Sequence, residues 1–382
     1  MWILHTSDWH VGRTIRGRSR ADEHRAVLDQ VVAIARQEEP DLVLVAGDQF
    51  DTAAPAPDAE RIVYRTLLDL AGTGARVVVL AGNHDNAGRL DAVAPLLRGM
   101  GIDAAAAVTP PAEGGVLDVV VRSGETARIA LLPFLSQRAI VRADELMAHT
   151  AADQENLYES RLQRIIDTLT ADFGTDTVNL VAGHLTVLGG APGGGERAVH
   201  TVLEYAVAAT VFPSTAHYVA LGHLHKPQRI PAACPVWYCG SPLQLDFGEE
   251  GHTKAVLLVD AAAGRPAQVR QVPLTAGRAL RTLRGTQAQL EAMSSEETDD
   301  HLRIIVTDPA AAGLADRVRG WFPTAVDVRV EAPAGLAATG GSTRLGRSPA
   351  ALFAEYLDVR GARDDAVLAL FAELLEHAAG EQ

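Results

Sequence analysis

One pattern returns through the first two-thirds of the chain. A short apolar run, mostly β-branched, closes on a small residue and glycine, and polar side chains follow. It reads LVLVAGD at Leu42–Asp48, VVVLAGNH at Val77–His84, NLVAGH at Asn179–His184 and YVALGH at Tyr218–His223, with a variant, ILHTSD, at Ile3–Asp8. Short apolar runs bounded by glycine predict buried strands. Between them, apolar residues recur at helical spacing: Val27, Val31, Ile34 and Ala35 within 23–36, Ile62, Val63, Leu67 and Leu70 within 59–70, and Leu162, Ile165, Ile166 and Leu169 within 157–169. Strands alternating with amphipathic helices predict an α/β chain whose sheets are covered by helices. The irregular spacing of the repeats excludes a solenoid.

Further along, Val116–Val121 and Ala127–Leu132 predict a hairpin, and Val236–Tyr238, Ala255–Val259 and Ala267–Val272 predict strands of a second sheet. Gly189–Gly195 (GGAPGGG) is a loop by composition. After residue 275, short strands at Leu280–Leu283, His301–Val306 and Val326–Val330 alternate with helices at Gln287–Met293 and Ala312–Trp321. Ala332–Arg347 has the composition of a linker. Two apolar helices follow, Pro349–Leu357 and Asp364–His377, with Ser348 as N-cap and proline at the first helical position. The chain therefore divides into 1–275, a small α+β unit at 276–331, a linker at 332–347 and a helical segment at 348–382.

Charge narrows the possible partners. With 34 Lys and Arg against 48 Asp and Glu, the net charge is −14, so bulk charge does not make this a nucleic-acid coat. Any such contact needs a local basic patch or a metal-filled cleft. The two cysteines, Cys234 and Cys239, support neither a disulfide framework nor a cysteine-rich zinc site, and they fit a reducing cytoplasm. No apolar run reaches the roughly 18 residues that a membrane span needs. The opening MWILHTSDWH lacks the basic and apolar regions of a secretory signal.

Each strand-plus-glycine phrase delivers a metal-capable side chain at the strand's C-terminal end, where open α/β sheets bind ligands. The set is Asp8, His10, Asp48, Asn83, His184, His223 and His225. Asp8 and His10, like His223 and His225, are two apart, and in extended backbone such residues point to the same side. Seven ligands exceed the four of a tetrahedral zinc site and suit two ions sharing a carboxylate, with Asp48 as the bridge. Imidazole and carboxylate without thiolate favour Mn, Fe or Zn over Ca. Singly, a strand-end histidine is more often a structural hydrogen-bonder, and aspartate after glycine is a common turn residue; five such strand ends together point to metal. His84 is a spare imidazole, suited to protonate a leaving oxygen or stabilise charge on phosphorus, or else to support a ligand. Asp85 could hold the His84 ring or cap the next helix. Asp51 either faces the cleft or is a helix N-terminal acid.

The order Asp-x-His, Gly-Asp-x-x-Asp, Gly-Asn-His-Asp, Gly-His and Gly-His-x-His resembles the calcineurin-like metallophosphoesterases. More narrowly, LHTSDWHVGRTIRGRSR, AGDQFDTAAP, GGAPGGGERAVH, GHLHKPQ and GSPLQLDFGEEG resemble the SbcD/Mre11-type nuclease subunits. The resemblance implies a two-sheet β-sandwich flanked by helices, a capping domain at 276–331 and a dinuclear centre. One ion would take Asp8, His10, Asp48 and His225, and the other Asp48, Asn83, His184 and His223. Mn is the expected metal, with Mg, Fe or Zn as alternatives. His84 would be catalytic and not a ligand. Asp51 stands where Mre11-type members carry a histidine, so that residue's role does not transfer.

The implied activity is DNA cleavage, as double-strand exonuclease and single-strand endonuclease, in DNA repair and recombination. Two ions roughly 3.5–4 Å apart answer both the charge of a phosphodiester and its poor leaving group by activating a shared water. Arg13, Arg16, Arg18 and Arg20 follow the first metal motif and could grip successive backbone phosphates, with Lys226 and Arg229 adding to them; pairing with Asp22 and Glu23 is the ordinary alternative. The chain has no Gly-x-x-x-x-Gly-Lys-Ser/Thr loop for ATP, which in the family is bound by the SbcC-type partner. The resemblance assigns the C-terminal helices to the SbcC coiled coil. It also gives the helix at Arg89–Arg98, with Leu90, Val93, Leu96 and Leu97 on one side, a homodimer contact within a heterotetramer, although burial inside the subunit would leave the same pattern. The expected location is the cytoplasm, at the nucleoid. A small-molecule phosphodiesterase, acting for example on cyclic nucleotides, shares the metal site but has no use for the arginines or the tail. A non-catalytic scaffold is disfavoured by the complete ligand set.

Overall fold

The computed structural model describes residues 1–136, 140, 158–196, 206–294, 298–331, 348–359, 361 and 364–380. The first sheet begins with β1 (Trp2–Thr6), crosses over α1 (Ala21–Glu38) to β2 (Leu42–Val45), over α2 (Pro57–Ala71) to β3 (Arg76–Leu80), and over α3 (Ala87–Gly99) to β4 (Ile102–Ala105). These four strands are mutually parallel. The second sheet takes the hairpin β5 (Val116–Val120) and β6 (Thr126–Leu132), then α4 (Tyr158–Thr170), β7 (Val178–His184), β8 (Tyr218–Gly222), β9 (Gln228–Ile230) and β10 (Val236–Tyr238). Its order is β9-β10-β8-β7-β6-β5, with β6, β7, β8 and β10 parallel.

One expectation is corrected here. The strands β11 (Ala255–Ala262) and β12 (Arg265–Pro273) do not belong to the second sheet. They return to the first, where β11 pairs antiparallel with β1, from Trp2 opposite Asp260 to His5 opposite Leu257. The chain thus covers the free edge of β1 with its own later hairpin, a pairing that no local pattern encodes.

Alternation along the strands assigns the layers. In the first sheet Ile3, Leu42, Leu44, Val78 and Leu80 face the second sheet, where they meet Ile129, Leu131, Leu180, Tyr218 and Ala220. Their neighbours Leu4, Val43, Val45, Val77 and Val79 face the other way, against Val27, Leu28 and Val31 of α1 and Ile62, Val63 and Leu67 of α2. On the far side Val181, Val219 and Leu221 pack on Leu162, Ile165, Ile166 and Leu169 of α4. Each fully buried Leu, Ile or Val contributes about 1.5–3 kcal/mol, so a one-residue slip in any strand would lose both faces at once. The two-sheet sandwich flanked by helices follows.

Beyond the sandwich, β13 (Leu280–Gly285), α5 (Gln287–Met293), β14 (His301–Val306), α6 (Leu314–Trp321) and β15 (Ala325–Val330) form a small parallel sheet with its own core of Leu290, Leu302, Ile304, Val306, Val318 and Phe322. The predicted linker at 332–347 lies outside the described residues. Then α7 (Pro349–Val359), whose Ala351 N–H donates to Ser348 Oγ at 3.1 Å, packs on α8 (Asp365–Gly380), with Phe353 and Phe371 stacked at 4.0 Å. No helix among the described residues is long and apolar enough to cross a membrane.

Candidate metal centre

Because the strands are parallel, β1, β2, β3, β7 and β8 all end at one rim, and the polar residues after them meet there. Among the described residues three groups of ligand atoms result, the atoms of each within 4.8 Å of one another: Asp8, His10 and His225; Asp48, His184 and His223; and His10, Asp48 and His84. Asn83 joins the second group, since its Oδ1 lies 2.9 Å from His184 Nε2 and 2.8 Å from His223 Nδ1. All seven expected ligands are therefore in one buried cluster. Asp48 is at its middle: Oδ2 is 3.5 Å from His10 Nε2 and 3.4 Å from His184 Nε2.

The local route to this convergence differs from the expected one. Asp8, His10, Asp48 and His223 have φ of 51, 46, 53 and 103°, four of the six non-glycine residues with positive φ among the described residues. Extended backbone does not bring Asp8 and His10 together; tight turns do. Such conformations cost about 1–3 kcal/mol each and persist where surrounding structure imposes them. Here the two ligand loops are stitched side by side, with N–H donors of Asp8, His10 and Val11 reaching the carbonyls of Gly47, Asp48 and Gln49, all at 3.0 Å. Gly82 permits the next approach, since a Cβ there would lie 2.2 Å from Asp48 Oδ1. His223 and His225 serve the one cluster from separate groups.

Electrostatics show that the cluster suits cations. His184 Nδ1 donates to the Ala46 carbonyl at 2.8 Å, so the Nε2 lone pair of the neutral ring faces the oxygens of Asn83 and Asp48. His225 Nδ1 donates to Glu249 Oε1 at 2.9 Å, which turns its Nε2 toward His10 Nε2 at 3.1 Å. Acceptors face acceptors, an arrangement that needs positive charge between them. Without metal, protons answer the need. Burial works to lower the His184 pKa, but the Asp48 and Asp8 carboxylates push it up to about 9. Burial would likewise raise Asp48, yet His184, His84 and His10 hold it well below the usual carboxylate range. A donor set of imidazole, carboxylate and amide oxygen, with no cysteine in the three groups, fits Mn, Fe or Zn.

The neighbouring residues divide into those that face the cluster and those that support it. His84 stands edge-on to His10, ring centres 4.5 Å apart, with Nδ1 donating to the Asp51 carbonyl at 2.7 Å. That carbonyl, and not Asp85, is what orients the ring. Asp85 is corrected to a loop anchor: its carboxylate accepts from the N–H groups of Gly82, Phe50 and Gln49 at 2.8, 3.0 and 3.3 Å. Burial and the Asp48 charge push its pKa up to about 6. The next helix is capped by Asn86. Asp51 faces the site, 3.6 Å from His10 Nδ1 and paired with Arg13 at 3.1 Å, and α2 begins only at Pro57, so it is not a helix N-terminal acid.

The arginines separate as well. Arg20 is 1% exposed, donates to Gln244 O and pairs with Glu23 at 2.8 Å. It is a structural cation with no face for a phosphate, which corrects its expected role. Arg16 and Arg18 lie on a hairpin, Thr14–Ile15 against Arg18–Ser19, whose turn residues Arg16 and Gly17 both have positive φ. Arg16 pairs with Asp327 and Arg18 donates to the Ala325 carbonyl, both at 3.1 Å, so they fasten the small sheet. Lys226, next to His225 in the chain, and Arg229, on the edge strand β9, are both exposed.

Sequence reasoning missed several residues at the site. Phe134 stacks on His223 at 6.5 Å, Ser7 donates to Asp8, and Glu249, Lys254 and Glu196 surround His225. Only the GSPLQLDFGEEG resemblance pointed to Glu249, and it gave no role.

Residues 1–227 match the family profile described as Calcineurin-like phosphoesterase. Over 339 residues the chain is 36% identical to the SbcD protein of the SbcCD nuclease from Bacillus subtilis (strain 168), covering 86% of this chain and 85% of that protein. It is 32% identical over 307 residues to its counterpart from Escherichia coli (strain K12), covering 78% and 74%. To that of Rhodobacter capsulatus it is 36% identical over 288 residues, covering 72% and 69%.

Proposed function

Because this chain belongs to the calcineurin-like phosphoesterases and, within them, to the SbcD nucleases, we propose that it is the nuclease subunit of an SbcC–SbcD-type DNA repair complex. It is a metal-dependent hydrolytic nuclease, and its fold implies a dinuclear centre. One ion would be held by Asp8, His10, Asp48 and His225, and the other by Asp48, Asn83, His184 and His223. Mn is our choice of metal. When bound, the two cations supply Lewis acidity, neutralising phosphate charge and bringing the pKa of a water toward neutrality.

The protein's own contribution is placement. Asp48, between His10 and His184, would be the carboxylate that both ions share. His84, with Nδ1–H committed to the Asp51 carbonyl, would as an imidazolium donate its Nε2 proton to the leaving oxygen and be left neutral. Arg13 and Lys226 flank the centre and meet the DNA backbone, which carries no sequence information and predicts cleavage with little sequence preference. Double-strand exonuclease and single-strand endonuclease activity, at the nucleoid in the cytoplasm, follow from this reading.

Partner contacts belong to the same proposal. On α8 and α7, Val367, Leu370, Leu374 and Tyr356 are exposed, an apolar face suited to the SbcC-type coiled coil. On α3, Leu90, Ala94 and Leu97 are buried within the subunit, whereas Leu96 is 75% exposed and Met100, just past the helix, is 59% exposed, which supports a homodimer contact.

The observation that carries the reading is the convergence of seven metal-capable side chains in one buried cluster with Asp48 between His10 and His184. The purified chain with Mn²⁺ should degrade DNA, more strongly with its ATPase partner and ATP. Cleavage of a small chromogenic diester without any cleavage of DNA would favour the small-molecule phosphodiesterase instead.

A further inference from the structure

His225 is held differently from the other histidines of the centre. Where His184 Nδ1 donates to a backbone carbonyl, His225 Nδ1 donates to the carboxylate of Glu249, and Glu249 is fully buried. The other oxygen of Glu249 accepts from Lys254 Nζ at 2.5 Å and from the Leu245 N–H at 3.0 Å. Lys254, itself 5% exposed, also donates to the His225 carbonyl at 3.0 Å and to Ser241 Oγ at 2.8 Å. A carboxylate and an ammonium, both buried, therefore sit behind one ligand.

The GGAPGGG loop covers this arrangement. The Glu196 carboxylate accepts from the N–H groups of Gly193 and Gly194 and from that of His225, pinning the loop onto the histidine. No side chain fits beneath it: a Cβ on Gly195 would lie 2.4 Å from Glu249 Oε1 and 2.9 Å from His225 Nδ1. The glycines that composition alone marks as flexible are required for close approach.

We propose that Glu249 is a positioning residue for the half of the centre that takes Asp8, His10 and His225. It fixes the His225 tautomer with Nε2 toward the metal, with Lys254 as its buried counter-charge and Gly193–Gly195 as the cover that keeps water off the contact. The two ion sites are then unequal, one resting on a buried carboxylate and the other on a backbone carbonyl. The inference rests on the dinuclear reading. Outer partners of metal-bound histidine typically contribute about 10–100-fold in metal affinity.

The test is calorimetric titration of the metal-free full-length chain with MnCl₂, with bound Mn counted by elemental analysis and folding followed by circular dichroism. The wild type should take two ions, which tests the dinuclear reading separately; a chain that takes none overturns both. Glu249→Leu should retain one ion at wild-type affinity. Glu249→Gln keeps an oxygen opposite Nδ1 and should restore the second ion, weakened about 10–100-fold. Gly195→Ala, which changes no charged group, should weaken the same ion. His225→Ala with Glu249→Leu should bind no worse than His225→Ala alone. Should Glu249→Leu fail to fold, Glu249→Gln and Gly195→Ala still decide. Two ions at wild-type affinity in Glu249→Gln and Gly195→Ala, or additive losses in the double variant, would overturn the proposal.

Discussion

The backbone N–H of His84 donates to Asp48 Oδ1 at 2.7 Å. The carboxylate at the middle of the site and the imidazole at its mouth are thus parts of one rigid unit. With Oδ1 committed to that bond, Oδ2 is left turned between His10 and His184. The same loop contact that orients the Asp48 carboxylate also fixes the backbone of His84.

Replacing His84 should therefore separate chemistry from metal binding. His84→Gln is expected to lower DNA hydrolysis by about 10²–10⁴-fold, the usual range for a general acid, with both Mn ions retained. Since His84 lies within ligand reach of His10 and Asp48, loss of one ion in this variant would reassign it as a ligand.

Asp48→Asn preserves an oxygen for the His84 N–H but removes the charge that both halves share. Bound Mn should fall below two per chain, and turnover should fall at least about 100-fold, equivalent to roughly 2.7 kcal/mol of lost stabilisation. Metal analysis beside a nuclease assay checks both outcomes.

Arg16 and Arg18 hold the small sheet through Asp327 and the Ala325 carbonyl. Such exposed contacts are worth about 0–1 kcal/mol in stability. Arg16→Ala with Arg18→Ala should thus barely change the melting temperature. Hydrogen exchange in β14 and β15 should quicken, and DNA cleavage should drop while a small diester is still hydrolysed.

Glu23 joins three elements: it pairs with Arg20, lies 2.7 Å from His301 Nε2 and accepts from the Arg278 N–H at 2.9 Å. Burial works to raise its pKa, but His301 and Arg20 hold it well below the ordinary glutamate value of 4.5. A carboxylate depressed on folding contributes stability that is present above its unfolded pKa and lost as pH falls through the folded one. Glu23→Gln should destabilise the protein at pH 7 by about 1–3 kcal/mol. In urea unfolding, the gap from wild type should shrink as pH falls below about 4.5.

Leu370 and Leu374 are 54% and 57% exposed on α8. Leu370→Asp with Leu374→Asp should leave the chain's melting temperature within a few degrees, because little buried area is lost. Co-purification of the ATPase subunit should be abolished.

Much of this was legible from local pattern. Val43 and Val45 alternate with Leu42 and Leu44 because a strand buried on both faces needs apolar residues at every position. The candidate ligands stand out because each lies just past such an apolar run, most of them after its closing glycine. The ring-holding role of the Asp51 carbonyl was not legible, because a backbone carbonyl carries no residue-specific signal. Arg20 is indistinguishable in sequence from Arg13, Arg16 and Arg18, and only its burial separates it from them.

Sequence by itself determined the strands, their helical covers and the identity of the seven metal-capable side chains, since alternation, amphipathic spacing and glycine boundaries act over a few neighbouring residues. Tertiary structure decided that Ala255–Ala262 pairs with β1, that Asp8, His10, Asp48 and His223 adopt left-handed backbone, and that Glu249 meets His225. Those outcomes come from the packing of segments far apart in the chain, whose contacts outweigh local preference only once the two sheets are closed on each other.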